Sequence, residues 1–95
     1  MSNGQTTSVI IEKAVLELLN ERGVGKSICP SEVARILGGD GWRHLMESVR
    51  AAGVRLALAN QIEITQKGEV VDPLDFRGPV RFRLKGPSET PTNRP

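Results

Sequence analysis

Residues 30 to 64 read PSEVARILGGDGWRHLMESVRAAGVRLALANQIEI, and a change of period inside this stretch decides the fold. Pro30 stands in a first helical turn, where its missing N–H costs nothing, and the helix runs to about Leu37. Val33, Ala34 and Leu37 then face inward, with Ser31, Glu32 and Arg35 outward. Gly38 and Gly39 break the chain. Asp40 is placed to cap a further helix from about Gly41 to Ala59, on which Trp42, Leu45, Met46, Val49, Gly53 and Leu56 form one stripe at helical spacing. That stripe predicts Trp42 and Leu56 buried as core residues against an earlier helix. After Asn60 the period falls to two: Ile62 and Ile64 alternate with Glu63 and Thr65, as in a strand with one buried face.

Toward the N-terminus, Ile11, Ala14, Val15, Leu18 and Leu19 recur at the three-and-four spacing of one apolar helical face from about Ser8, a candidate N-cap, to Arg22. Gly23 is the expected stop. Toward the C-terminus, Val80, Phe82 and Leu84 alternate with Arg81 and Arg83 and predict a second strand. Gln66 to Pro79 joins the two strands in one of two ways. Lys67-Gly68 makes a tight turn into a short strand at Val70-Val71, or the whole segment is an extended exposed loop. Asp72-Pro73 and Gly78-Pro79 both interrupt pairing and favour the loop.

The expected fold is mainly α with a small β-hairpin: three helices, then two or three short antiparallel strands. This is the order of a winged helix-turn-helix, with helices two and three as the helix-turn-helix unit and Gln66 to Pro79 as the wing.

Composition sets the boundaries. Of 95 residues, 86 to 95 (GPSETPTNRP) hold no apolar side chain except proline, and 1 to 7 are mostly polar. Both ends are expected to be disordered, leaving one domain over 8 to 85, of a size that buries roughly 60 to 65% of its unfolded surface. No apolar run approaches the roughly 18 residues of a membrane span, and the start lacks a basic-then-apolar signal pattern. The expectation is a soluble, unexported, cytoplasmic protein. With Cys29 the single cysteine and His44 the single histidine, neither an internal disulfide nor a zinc site of three or four Cys/His ligands can be assembled. No cofactor or metal is expected. Trp42, Phe76 and Phe82 are the only aromatics, too few for single-strand stacking platforms.

The quoted segments GKSICPSEVAR (Gly25 to Arg35), WRHLMESVRAAGVRL (Trp42 to Leu56), ITQKGEVVDP (Ile64 to Pro73) and RGPVRFRL (Arg77 to Leu84) resemble a small bacterial family of domains of unknown function. What the resemblance implies is a winged-helix fold of about this length, with no assigned reaction, ligand or catalytic residue. The long loop departs from a simple winged helix, so wing contacts do not carry over by analogy.

Three short motifs have ordinary explanations. Gly23-Val24-Gly25-Lys26-Ser27 is similar to the end of a phosphate-binding loop, but Asn20 stands where the first glycine belongs and Pro30 interrupts any helix starting at Lys26. Asp40, His44 and Ser48 fall at i, i+4 and i+8, yet an outward helix face supplies neither the desolvated pocket nor the oxyanion site that a serine nucleophile needs. Cys29, near the cap of the second helix, reads either as a redox-sensing thiol or as a small apolar group, the commoner use of a lone cysteine. An enzyme is not expected.

Charge carries the functional reading. The net charge is only +2, but residues 1 to 41 carry four basic and five acidic side chains while 42 to 95 carry nine and six. Arg81 and Arg83 share one side of the last strand, and Lys67 and Arg77 lie on the loop, so these cations are candidates to converge on a duplex backbone. The alternative is a solvated strand face that discourages edge-to-edge aggregation. On the third helix, His44, Glu47, Ser48 and Arg55 face out with Ala51, while Arg43 and Arg50 reach from the flank. Glu47 can accept a hydrogen bond from cytosine N4. The expected function is double-stranded DNA binding through helix three and the basic wing, with a homodimer or a partner needed for tight binding. The alternative is a non-catalytic protein-interaction module on the same fold, docking an acidic partner.

Since the Pro-, Ser- and Thr-rich tail offers nothing to offset ordering at about 1 to 2 kcal/mol per residue, deleting Pro87 to Pro95 is expected to leave the thermal midpoint unchanged. A clear fall in the midpoint would show that the tail docks.

Overall fold

The computed structural model describes residues 8–85. The elements in chain order are α1 (Ser8–Arg22), β1 (Ser27–Ile28), α2 (Pro30–Gly38), a 3₁₀ segment (Gly39–Leu45), α3 (Met46–Leu58), β2 (Ile62–Gln66), β3 (Glu69–Val70) and β4 (Arg81–Leu84). The architecture is mixed α/β: helices against one face of a four-stranded antiparallel sheet ordered β1-β4-β2-β3. The sequence-based expectations for residues 1 to 7 and 86 to 95 lie outside the described residues.

The apolar face of α1 reads as the spacing predicts, with Ile11, Val15 and Leu19 buried one turn apart. Gly23, at φ 99°, ends the helix by donating its N–H to the Leu19 carbonyl at 2.8 Å, a conformation that suits a residue without a Cβ. α2 begins at Pro30 and buries Val33 and Ala34. α3 buries Val49, Ala52, Gly53 and Leu56.

The sheet is organised by one row of side chains. Ile28 pairs with Phe82, which pairs with Ile64, and all three are fully buried under the helices. Phe82 sits on the central strand and its ring meets α3 end-on at Gly53, where a Cβ would stand 2.3 Å from Cζ and 2.5 Å from Cε1. Only a glycine lets the helix backbone lie this close to the ring. The alternate residues of β4 point to the other face of the sheet, as a period of two requires.

Several expectations need correction. The third helix does not run from Gly41; α3 starts at Met46, and Gly39 (φ 55°) and Gly41, with non-helical φ/ψ, hold the preceding residues in a kinked 3₁₀ segment. Asp40 caps nothing, since Leu45 occupies the N-cap and makes no side-chain cap bond. Trp42 therefore belongs to the 3₁₀ segment, which packs on α2, and is half-buried instead of fully enclosed against α1. Leu56 is buried as expected. The segment after Gln66 begins as a tight hairpin, not an extended loop: Lys67 and Gly68 take φ 52° and 84°, the positive pair of a two-residue turn whose twist suits antiparallel strands. Finally, β1 precedes α2, so a strand joins the sheet that no sequence period announced. Two residues are too few to show alternation.

Gly53→Ala tests the close approach. Alanine favours a helix by up to about 1 kcal/mol, but overpacking the buried ring costs about 1 to 3 kcal/mol, so urea denaturation is expected to show a net loss. Adding Phe82→Leu to Gly53→Ala should cost less than Phe82→Leu costs alone. A higher denaturation midpoint for Gly53→Ala would remove the constraint.

Candidate functional site

The residues expected to contact DNA fall into separate groups. Arg43 and His44 are exposed on the 3₁₀ segment, and Glu47 and Ser48 are exposed on the first turn of α3. Ser48, Ala51 and Arg55 turn toward α1, where they line a shallow groove of about 130 Å³ with Ser8 and Ile11. Arg55 is bonded there to Glu12 at 2.5 Å. Arg50 leaves the opposite flank of α3 and donates from Nη2 to the carbonyl of Gly78 at 3.0 Å, tying the helix to the root of the long loop. Its Nε is buried with no partner among the described residues.

The loop itself is held in shape. Val71 extends the hairpin by donating to the Ile64 carbonyl at 2.9 Å, and the Asp72 carboxylate accepts the Leu74 N–H at 2.9 Å in a local turn. The Gln66 side-chain amide donates to the carbonyls of Arg77 and Pro79. Lys67 and Arg77 are exposed at the hairpin turn and on this loop, with no ion pair among the described residues.

Arg81 and Arg83 share the outer face of β4, as the alternation predicts, but both are engaged within the domain. Arg83 pairs with Glu63 on the adjacent strand, with Nη2 at 2.6 Å and Nε at 3.1 Å from the same carboxylate oxygen. Arg81 donates to the Ser27 hydroxyl at 2.6 Å and the Ser27 carbonyl at 3.1 Å, and lies 4.0 Å from Glu32. These bonds fasten β1 and β2 to the central strand.

Glu32 joins three elements. One carboxylate oxygen meets Arg22 of α1 at 2.5 Å, while the other accepts the N–H of Cys29 at 2.9 Å and faces Arg81. Cys29 is the N-cap of α2 in an extended conformation, and its sulfur accepts a hydrogen bond from Ser31 at 3.1 Å. The Arg22 hydrogen bond is the main cause that holds the Glu32 carboxyl below its ordinary pKa, with the Cys29 N–H and the positive charges of Arg22 and Arg81 acting in the same direction against partial burial.

Two features of the surface had no signal in the sequence reading. Arg35 of α2 and Arg43 each lie over the Trp42 ring, 4.6 Å from its centroid, so the indole positions two guanidinium groups near the bend between α2 and α3. Helical spacing marked Arg35 as outward but gave no reason to connect it with Trp42, because the bend at Gly38 and Gly39 decides that contact. The second is a cleft of about 830 Å³ on the outer face of the sheet, between Cys29 and the hairpin. Among the described residues no group of three or more His, Cys, Asp and Glu is placed to hold a metal ion, and no helix is long and apolar enough to cross a membrane.

Residues 8–85 match the model of the family described as Protein of unknown function (DUF3253), and the chain belongs to that family. No curated protein matches the chain.

Glu32→Gln gives a pH test of the three-element junction. A carboxyl whose pKa is lowered by folding contributes stability above its unfolded pKa and loses it as the pH falls through the folded one. Glu32→Gln is expected to destabilise the protein at neutral pH by about 1 kcal/mol or less, given the partly exposed partners. The difference from wild type should shrink as the pH drops below the ordinary value of 4.5. A difference that grows on acidification would contradict this account.

Proposed function

We propose that this domain is a winged helix that binds double-stranded DNA and catalyses no reaction, with the 3₁₀ segment and α3 addressing the major groove and the β2-β3 hairpin with its loop acting as the wing. The order helix, strand, helix, helix and hairpin supports the winged-helix reading, as does the position of β4 between β1 and β2. The observation that carries the functional reading is the Arg50 to Gly78 hydrogen bond. It holds the wing against the flank of α3, so that exposed Arg77 on the loop is carried beside the helix that bears Glu47 and follows the 3₁₀ segment with Arg43 and His44.

Among the candidate DNA contacts, the exposed cations without an acidic neighbour are Arg43, Lys67 and Arg77. Arg55, Arg81 and Arg83 already have acidic neighbours. So few contacts leave a lone domain weakly bound at physiological salt, and a homodimer or a second protein would supply the rest. The second reading, a non-catalytic protein-interaction module that docks an acidic partner, draws on the outward face of α3. Half-buried Val54 and Leu58, 52% exposed, give that face an apolar character unlike a phosphate-contacting surface.

Three phosphate contacts predict a log-log dependence of duplex affinity on salt with a slope of about −2.7, at about −0.9 per contact. The double substitution Lys67→Ala, Arg77→Ala should flatten the slope by about 1.8 and weaken all duplexes alike. Substitutions at His44 or Glu47 should change preference among sequences with little change in slope. Absence of duplex binding in a gel shift at about 50 mM salt, where counterion release is strongly favourable, would reject the DNA reading in favour of the protein-interaction one.

A further inference from the structure

The cleft on the outer face of the sheet has features of a ligand site that the proposed DNA interface does not explain. Thr65 of β2 pairs with Arg81 of β4, and Cys29 directly follows Ile28, the partner of Phe82, so Cys29, Arg81 and Thr65 form a cross-strand row. This row floors the cleft, whose volume of about 830 Å³ falls within the roughly 300 to 1,000 Å³ of small-molecule sites. Its walls are the hairpin and the loop before β4, tied to each other at one end by the Gln66 hydrogen bonds to Arg77 and Pro79, while the Val71 to Ile64 backbone bond extends the hairpin. Both walls are therefore held in position by bonds within the domain.

Its chemistry is two-part. Lys67, Arg77 and Arg81 line it with one carboxylate, Glu69; Arg81 also lies 4.0 Å from Glu32, so the excess positive charge comes from Lys67 and Arg77, which make no ion pair among the described residues. The Ser27 bonds hold the Arg81 guanidinium in place while 51% of the side chain stays exposed, so this cation is oriented before any ligand arrives. Val71 and Pro79 supply apolar surface in the same cleft. A bare inorganic ion would leave that surface wet, and a neutral apolar molecule would leave Lys67 and Arg77 without an anionic partner.

We infer that this cleft binds a small amphipathic organic anion, a phosphate or carboxylate carried on an apolar body, with Arg81, Lys67 and Arg77 taking the charge and Val71 and Pro79 the apolar part. The assignment stands independently of duplex binding, although Lys67 and Arg77 enter both.

Cys29 is the only cysteine in the chain and lines the cleft, so its alkylation by neutral iodoacetamide reports occupancy of the full-length protein. Phenyl phosphate and benzoate are the probes; inorganic phosphate and benzyl alcohol each supply only half of the chemistry. The expected result is saturable, several-fold slowing of alkylation by at least one probe, half-maximal at about 1 mM, as suits a ligand of this size. Amide shifts at Val71 and Val80 should saturate in parallel. Lys67→Ala with Arg77→Ala, which alters only exposed side chains, should keep the thermal midpoint and weaken the probe by about tenfold or more. Either probe succeeding in this way supports the site and identifies its headgroup. Neither protection nor shifts at about 10 mM, equal protection by inorganic phosphate or benzyl alcohol, or undiminished binding to the double variant would overturn it.

Discussion

Phe82 can occupy the middle of the sheet only because α3 presents Gly53 to its ring. The contact leaves no room for a Cβ, and it brings the axis of the helix close to the central strand. The neighbouring strands follow from the same residue, since Ile28 and Ile64 flank Phe82 in register and the three close one side of the core. α1 covers the remaining apolar surface with Ile11, Val15 and Leu19. A larger residue at position 53 would have to move either the ring, with β4, or the helix. β4 carries Arg81 and Arg83 on its opposite face, and α3 carries the candidate recognition surface. A single packing contact thus fixes the spacing between the two polar surfaces of the molecule.

Many of the charges act within the fold. Glu32 connects the end of α1, the start of α2 and, through Arg81, the central strand. Arg83 and Glu63 link β4 to β2 on the outer face, and Arg55 and Glu12 link α3 to α1. Exposed pairs of this kind contribute only about 0 to 1 kcal/mol each, so their larger effect is on where the cations are. They draw Arg55, Arg81 and Arg83 toward acidic partners, whereas Lys67 and Arg77 make no ion pair among the described residues. Arg81 is intermediate: tethered by Ser27 on one side and open to the cleft on the other.

Helices with a long apolar face were legible in the sequence, because Ile11, Val15 and Leu19 or Val49, Gly53 and Leu56 repeat often enough to define a side. The same holds for Ile62 and Ile64, and for Val80, Phe82 and Leu84. The bend between α2 and α3 was legible only as a break. Two adjacent glycines announce that the helix ends but not which conformation follows, and the 3₁₀ path they take displaced Trp42 from the side of α3 to the side of α2. The hairpin at Lys67-Gly68 was legible only as one of two alternatives, because Asp72-Pro73 and Gly78-Pro79 interrupt pairing further along the chain but do not reach Glu69 and Val70, which pair with Gln66 and Thr65.

By itself, then, the sequence determined the ends of α1, the inward face of α1 and of the later part of α3, and the polarity of both sides of β4, since each depends on neighbours within a few residues. Tertiary structure decided what those neighbours could not. β1 is a strand only because Ser27 and Ile28 meet Arg83 and Phe82, more than fifty residues away in the chain. The pairing of Arg81 with Ser27, the joining of Arg50 to Gly78 and the cleft beside Cys29 have the same origin. Each is a contact between groups distant in sequence, brought together by burial of Phe82 and its row, and periodicity along the chain carries no information about which distant partner a side chain will meet.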